Sequence, residues 1–472
     1  MTPRAALDVL PSAHDAVGER RRRLRAEVQA ALGRPPRVLL VSANPNVTMF
    51  VSPYGLEVIG ASLEAELGAE VRIVDPFLPG SQGLALAAAI LRFKPDVIGI
   101  NFRNLDIAYV ADIDRKQIIA RTCVPELRQV LARIFQTGFP RERVLIGGTG
   151  FASASTDLLR ELELPYGVIG PGGEALTEFT RRIVLGAAID AVPGLVTAAD
   201  LGRPRRPADA TWDNDVLPLC SKPHRDILRD RKLYFPLRTA SGCGMRCSYC
   251  IEGRSQARKA RARPLGRVAE ELAAIREQGA ERIMLADGEL NVPYSDNYAQ
   301  VLGLIAEAQL GWRAYLLSKP PPPELLRVMK RSRCEGVLLT FDTAADSVLS
   351  QIGRPGTVAE MVASLEAYAA AGLPVTASLL FGLPGETDAT VAETLALIRA
   401  YPSVMFTYSV GARVYPNTPL AERARANPEH VYRDDSGDPL GVAVYSEPGP
   451  PWDLAASIRD ALAGTSNAAR FW

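Results

Sequence analysis

Two kinds of hydrophobic pattern alternate along the chain. Short apolar runs, RVLLVSA at 37–43, VRIVD at 71–75, DVIGIN at 96–101, RVLIGG at 143–148 and YGVIG at 166–170, read as buried strands. Between them LEVIGASLEAEL, LALAAAILRF and VPELRQVLARIF carry apolar residues at helical spacing. Five strands alternating with helices predict a doubly wound, Rossmann-like parallel sheet over residues 35–185. Ahead of it, Leu24, Val28, Ala31 and Leu32 form one helical stripe, with Arg21, Arg22, Arg23 and Arg25 mostly off it. Residues 1–34 therefore read as a helical extension with a solvated basic face.

Near Leu185 the rhythm breaks, and residues 186–232, rich in Pro, Gly, Asp and Arg, read as a linker wrapping the surface. A second series of strands follows at 233–239, 282–288, 312–317, 336–342, 374–382 and 404–415. Helices are expected at about 264–278, 294–308, 323–332, 357–371 and 387–400. Six strands in that order predict a partial (β/α)6 barrel over 233–420, with its ligand site at the carboxyl ends of the strands. Residues 421–472 read as an irregular tail.

Composition narrows the partners. The 54 Lys and Arg against 53 Asp and Glu leave a net charge of +1, without the electrostatic footprint of a nucleic-acid binder. No run approaches 18 unbroken apolar residues, so no membrane span is expected. The N-terminus lacks the basic-then-apolar order of a secretory signal, and six Cys in 472 residues are too few for a disulfide scaffold. The expected location is a reducing cytoplasm, where clustered thiols point to metal or redox chemistry.

Three of those thiols are clustered. TASGCGMRCSYC places Cys243, Cys247 and Cys250 at C-x3-C-x2-C spacing in the loop after the first barrel strand. Three thiolates on one short loop suit a 4Fe–4S cluster, ligating three irons and leaving the fourth open to a cosubstrate. The alternatives are a zinc site and an inert loop. Zinc would need a fourth ligand at finger-like spacing, but Cys220 and Cys334 are distant and the histidines are His14, His224 and His430.

With Tyr249 as its aromatic, this loop resembles the C-x3-C-x-aromatic-C signature of the radical S-adenosylmethionine (radical SAM) enzymes, at the position where that family carries it. The resemblance implies that the open iron chelates the amino and carboxylate groups of S-adenosylmethionine, whose cleavage by the reduced cluster releases a 5′-deoxyadenosyl radical. It further implies that Asp287, Gly288 and Glu289 in LADGELN stand where the family has a Gly-Gly-Glu stretch holding the cosubstrate's amino group, with Asp in place of the first Gly. Thr340 and Asp342 would reach the ribose. Gly382, with Pro384 and Gly385 in SLLFGLPGET, would lie beside the adenine, and Arg413 and Tyr415 in GARVYPNTPL, at the end of the sixth strand, would lie near the cosubstrate. Plain turn geometry is the competing reading for each single residue. The basic run Arg254, Arg258, Lys259, Arg261 and Arg263 is either a solvated loop or a landing place for an acidic electron donor such as flavodoxin or ferredoxin.

The carboxyl ends of the first sheet are rich in small and polar residues: SANPN at 42–46, NFRNLD at 101–106, GGTGF at 147–151 and GPGGE at 170–174. No G-x-G-x-x-G turn joins the first strand to the first helix, which argues against a nicotinamide dinucleotide. In this order, ahead of such a barrel, the pieces VSPYGLEVIGASLE, INFRNLD, GGTGF and GVIGPGGE resemble the cobalamin-binding domain of cobalamin-dependent radical SAM enzymes. The resemblance implies cobalamin contacts from Asn44, Tyr54, Arg103, Asn104, Gly147, Gly148, Thr149, Gly150, Phe151, Gly172, Gly173 and Glu174. The Asp-x-His-x-x-Gly stretch that supplies cobalt's lower ligand in many cobalamin domains is absent, so either cobalt is held without a histidine ligand or the domain has lost cobalamin altogether.

The resemblance thus implies a cobalamin-dependent radical SAM methyltransferase acting on an unactivated carbon of a small molecule or natural-product intermediate. Two rivals stay open. One is an enzyme of the same architecture performing a rearrangement, ring contraction or cyclisation; the other is a non-catalytic protein with a vestigial barrel.

Overall fold

The computed structural model describes residues 13–45, 50–79, 84–200, 208–209, 212–252, 260–291, 296–438 and 440–470. After the helix Ala13–Leu32, the first sheet is built from β1 (Arg37–Ser42), β2 (Glu70–Val74) and β3 (Val97–Asn101). An antiparallel hairpin, β4 (Asp106–Asp112) and β5 (Gln117–Thr122), stands outside it, and β6 (Val144–Gly147), β7 (Gly167–Val168) and β8 (Leu195–Val196) complete it. The strand order is β2-β1-β3-β6-β7-β8, parallel throughout except for β8. Val38, Leu39, Leu40 and Val41 are fully buried, as expected of a central parallel strand covered by helices on both faces. The order reverses between β1 and β3, and ligands of such sheets bind outside the carboxyl ends at that crevice.

The segment expected to be a wrapping linker contributes more than a connection. It supplies β8 to the first sheet and a helix, Lys222–Asp230, whose His224, Arg225 and Leu228 are buried. Arg225 forms a buried ion pair with Glu57, and His224 lies 3.0 Å from Asp75 and 2.7 Å from Ser221. The polar sequence of this segment hides its apolar contacts, because charged partners here lie inside the protein.

The second sheet starts at β9 (Phe235–Leu237), followed by the short pair β10 (Ala240–Ser241) and β11 (Arg261–Ala262). It continues through β12 (Arg282–Leu285), β13 (Gly311–Leu317), β14 (Cys334–Asp342), β15 (Val375–Phe381) and β16 (Met405–Val410). The helices between them are Leu265–Glu277, Asp296–Ala308, Pro323–Arg331, Val358–Ala370 and Asp388–Ala400, within two residues of the expected bounds. Two of these open on side-chain caps, Thr357 with Glu360 and Thr387 with Thr390, which satisfy backbone donors at the helix start.

The tail departs from expectation. It is not irregular: β17 (Ala412–Arg413) pairs with β19 (Ala443–Tyr445), which pairs with β18 (Val431–Arg433), and a helix follows at Pro451–Ala461. Then β20 (Ala468–Arg470) adds itself parallel to β16, so the barrel sheet has seven strands in the order β9-β12-β13-β14-β15-β16-β20. The period is too short in three-residue strands for the sequence pattern to reveal them. No helix among the described residues is long and apolar enough to cross a membrane.

Two positions test this packing. A Cβ on Gly150 would lie 2.6 Å from the Asn104 carbonyl carbon and 2.7 Å from the Leu105 amide, both backbone, whereas one on Gly266, in the exposed first turn of its helix, meets nothing within 4 Å. Gly150→Ala is expected to cost about 1–3 kcal/mol, and Gly266→Ala to gain a few tenths up to about 1 kcal/mol, both measured by urea unfolding.

The turn after β15 makes a second prediction. Glu386 accepts the amides of Gly382 and Leu383, its other oxygen has no hydrogen-bond partner, and burial pushes its carboxyl up to about 8 from the ordinary 4.5. A raised carboxyl binds its proton more tightly in the folded state, so its stabilising contribution is full below about pH 4.5 and is lost as pH rises through about 8. Thermal denaturation of Glu386→Gln should show a flatter decline of stability over that window than the parent protein shows.

Candidate active site between the two sheets

The cysteine loop is tied down at several points before and after its thiols. At its start the amides of Thr239 and Ala240 donate to Asp287 Oδ1 at 2.9 and 2.7 Å, and Thr239 Oγ1 donates to Oδ2 at 2.9 Å. In its middle the Ser248 amide donates to the Ile352 carbonyl at 2.8 Å, and the Leu420 amide to the Ser248 carbonyl at 3.0 Å. Cys243 and Cys247 are buried and Cys250 is half-buried, and none of the three is in a disulfide. Burial pushes the Cys243 and Cys247 thiols up, with Arg354 pulling Cys247 back. Gly288 ends beside them: a Cβ there would stand 3.9 Å from Cys243 Sγ.

A buried charge network lies against this loop. Glu289 Oε1 accepts from Thr340 Oγ1 at 2.7 Å and from Arg354 Nη2 at 3.3 Å, while Oε2 is buried without a partner. Burial raises the Glu289 carboxyl, and Arg354 and Thr340 oppose that rise. Tyr249 donates to Asp342 Oδ2 at 2.7 Å, and the Arg354 guanidinium lies 3.4 Å from the same oxygen. Asp342 has φ +64° next to a register shift between Thr340 and Asp342 on β14. A bulge of this kind re-aims a side chain, here toward Tyr249, and a positive φ outside glycine is retained only where its surroundings hold it. Sequence reasoning missed Arg354. It stands in IGRPG, a turn that matches no motif, and only the fold brings it to the cysteines.

On the facing side, the carboxyl ends of β1, β3 and β6 converge. Asn44 accepts the amides of Arg103 and Asn104 and donates to the Asn104 carbonyl at 3.0 Å, fixing the loop after β3. Burial pushes the Tyr315 phenol in the barrel up, a rise that the charge of Arg103 from this loop opposes and that of Glu289 adds to. A cavity of about 170 Å³ opens at the edge of the sheet, lined by Gly55, Ile59, Asn101, Gly147, Gly148 and Gly172 among others. Side chains at these glycines would crowd it: a Cβ on Gly172 would meet Ile59 at 2.7 Å, and one on Gly148, at φ +104°, would meet Asn101 Oδ1 at 2.5 Å.

Several expected contacts are used elsewhere. Both Asp287 oxygens hold the start of the cysteine loop, which makes Asp287 a brace. Arg413 is buried, pairs with Asp106 at 2.7 Å and donates to the carbonyls of Val414 and Ala443; Tyr415 stacks 5.0 Å from it, so the ion pair ties the β4–β5 hairpin to the small β17–β19–β18 sheet. Phe151 is wholly inside the first core, against Gly167. Thr149 starts the short helix Thr149–Ser153, its carbonyl accepting from Ser153, and Gly150 packs on the 103–105 backbone. Gly173 lies against Asp213, and Glu174 accepts the Asp209 amide at 2.7 Å. Tyr54 donates to Glu271 at 2.9 Å across the domain junction. Gly382, at φ +87°, meets the Gly411 backbone. Of the basic run, Arg254, Arg258 and Lys259 lie outside the described residues, as does Asn46. Arg261 is exposed, and Arg263 is buried against Glu271, so it offers nothing to a docking protein.

Among the described residues no three His, Cys, Asp or Glu side chains converge on a point that one metal ion would fill. The donor set fits a cluster that takes one thiolate per iron. The partnerless Glu289 oxygen suits a donor such as an ammonium group, and the glycine-lined cavity suits a broad ligand lying against backbone.

Residues 237–398 match the model of the radical SAM superfamily. The chain is similar to the tryptophan 2-C-methyltransferase of Streptomyces laurentii, 21% identical over 449 residues, covering 80% of this chain and 73% of that protein. Its fold is similar to that of the radical S-adenosylmethionine methyltransferase TsrM from Kitasatospora setae, solved with cobalamin and a 4Fe–4S cluster bound, at a TM-score of 0.80 and 23% identity over 92% of this chain and 93% of the other. It is also similar to the cobalamin-dependent S-adenosylmethionine radical enzyme OxsB with aqua-cobalamin bound, at a TM-score of 0.69 and 14% identity over 91% and 68%. The match to the radical SAM superfamily model thus falls on the barrel with its cysteine loop, and the chain as a whole shares the two-part fold of those two solved proteins.

Proposed function

We propose that this protein is a cobalamin-dependent radical SAM methyltransferase that places a methyl group on a carbon of a small molecule, with tryptophan as the first substrate to test. The observation that carries the reading is the presence of two sites in one chain, the three-cysteine loop after β9 and the glycine-lined cavity at the carboxyl ends of the first sheet, with polar contacts from Tyr54 to Glu271 and from Asp106 to Arg413 joining the two domains. A methyltransferase needing a radical SAM cluster and a methyl carrier requires both in one chamber. Similarity to a tryptophan C-methyltransferase over most of the chain supports the same choice.

Cys243, Cys247 and Cys250 would hold the cluster, Glu289 the amino end of S-adenosylmethionine, and the cavity beside Gly147, Gly148 and Gly172 the nucleotide tail of cobalamin. When bound, cobalamin supplies a methyl carrier and the cluster supplies the open iron that seats S-adenosylmethionine. The chain's own part is positional. Asp287, Ile352 and Leu420 fix the cysteine loop, Asn44 fixes the Arg103–Asn104 loop, and the buried Arg413–Asp106 pair ties the two domains together. His224 is occupied by Asp75 and Ser221 and stacks on Phe50, so it is not available to cobalt. The electron for the cluster would come from a small donor protein such as flavodoxin or ferredoxin.

Incubation with tryptophan and methyl-labelled S-adenosylmethionine should give labelled product and S-adenosylhomocysteine together, and 5′-deoxyadenosine in step with them if the chemistry is radical. Deoxyadenosine without label in the product would replace methyl transfer by rearrangement or cyclisation. Cys243, Cys247 and Cys250 changed together to Ala should lose the iron and the activity, while Cys123→Ala and Cys334→Ala should keep both.

A further inference from the structure

Arg354 belongs to no motif, yet it is the group with most partners at the barrel mouth. Its side chain is 4% exposed. Nη2 donates to the Thr340 carbonyl at 2.7 Å, to Thr340 Oγ1 and to Glu289 at 3.3 Å, and the guanidinium lies 3.4 Å from Asp342. Its other arm turns to the cysteine loop, where Nη1 reaches Cys247 Sγ at 3.8 Å and Met245 Sδ at 3.6 Å. The approach depends on Gly353 at φ +68°, whose position lies so near the loop that a Cβ would stand 3.1 Å from the Arg246 carbonyl. Burial alone would weaken the charge on Arg354, but Asp342 and Glu289 outweigh burial and hold it protonated.

We propose that Arg354 sets the reduction potential of the iron–sulfur cluster, as a fixed buried cation hydrogen-bonded to one of the cluster's thiolates. This rests on the cluster assignment made above. A cluster gains one negative charge on reduction, so a neighbouring cation stabilises the reduced form, and a hydrogen bond to sulfur acts in the same direction. Water does little to screen a charge buried at this depth. The two carboxylates beside Arg354 sharpen the effect. With the guanidinium removed, Glu289 and Asp342 would face the cluster unopposed, and the potential would fall further than the loss of one cation implies. Arg354 is thus a positioning and tuning residue, acting through Cys247.

The test is a spectroscopically monitored redox titration of the reconstituted full chain, with iron counted in every sample. Arg354→Gln should keep its iron and shift the midpoint to more negative potential, while Arg354→Lys, which retains the charge, should titrate near the parent protein. Full iron in Arg354→Gln with an unchanged midpoint overturns the proposal. Loss of iron from either variant overturns it too, because Arg354 is then a brace for the loop. Failure of the parent protein to take up iron would instead sink the cluster assignment, so the two failures are told apart before any variant is titrated.

Discussion

Everything at this site depends on two separate sheets keeping their carboxyl edges face to face, and buried polar contacts across the junction impose that arrangement. Asp106, at the start of β4, meets Arg413 at the end of the barrel; Tyr54, at the head of a helix on the first sheet, meets Glu271 and the Arg238 amide on the second. Glu271 is shared with Arg263, which also donates to the Arg238 carbonyl. Apolar contact alone would let two domains slide or hinge. Buried ion pairs have narrow geometric tolerance, and breaking one strands an uncompensated charge, at a cost of about 3–5 kcal/mol. The register between cluster loop and facing sheet is held by contacts that tolerate no intermediate position.

The same constraint explains how charged side chains can be buried around the cysteine loop. Asp287, Glu289, Asp342 and Arg354 are each nearly inaccessible to water, and each has its charge met by a neighbour. Such a network keeps its shape in the absence of ligand. It leaves the Glu289 oxygen as an opening for whatever donor arrives.

The large elements were readable in the sequence because they are long and periodic: strands such as β1 (RVLLVS) and β13 (GWRAYLL) carry unbroken apolar runs, and the helices between the barrel strands follow the expected spacing. The cysteine triad was readable because its spacing is local. What escaped shares a different property. The β4–β5 hairpin, DIAYVADIDRKQIIART, buries Ala111 and Ile118 in the core of the other domain, so its apolar residues answer to partners far away in the chain. Arg413 and Tyr54 carried the expected chemistry for ligand contact and are spent on the junction instead, because a charged or phenolic side chain near a ligand site reads identically in sequence whether it faces ligand or protein. Phe151 misled in the opposite way, as a ring beside the glycines that fills the core from the ligand-facing loop. Arg354 could not be found by any local pattern, since its meaning depends on where Cys247 and Asp342 happen to be.

The hairpin also bears on how the molecule is made. Ala111 and Ile118 leave the ribosome with the first sheet, but the apolar cluster that buries them is built from barrel residues synthesised later, and the Tyr109 hydroxyl waits for the carbonyl of Gly411. β20 is later still: it completes the edge of the barrel sheet from residues 468–470. The first sheet and the self-paired hairpin can form early during translation, with the hairpin's apolar side still open. The hairpin's apolar residues thus stay uncovered until the barrel residues that bury them have been made, which couples the packing of the two halves.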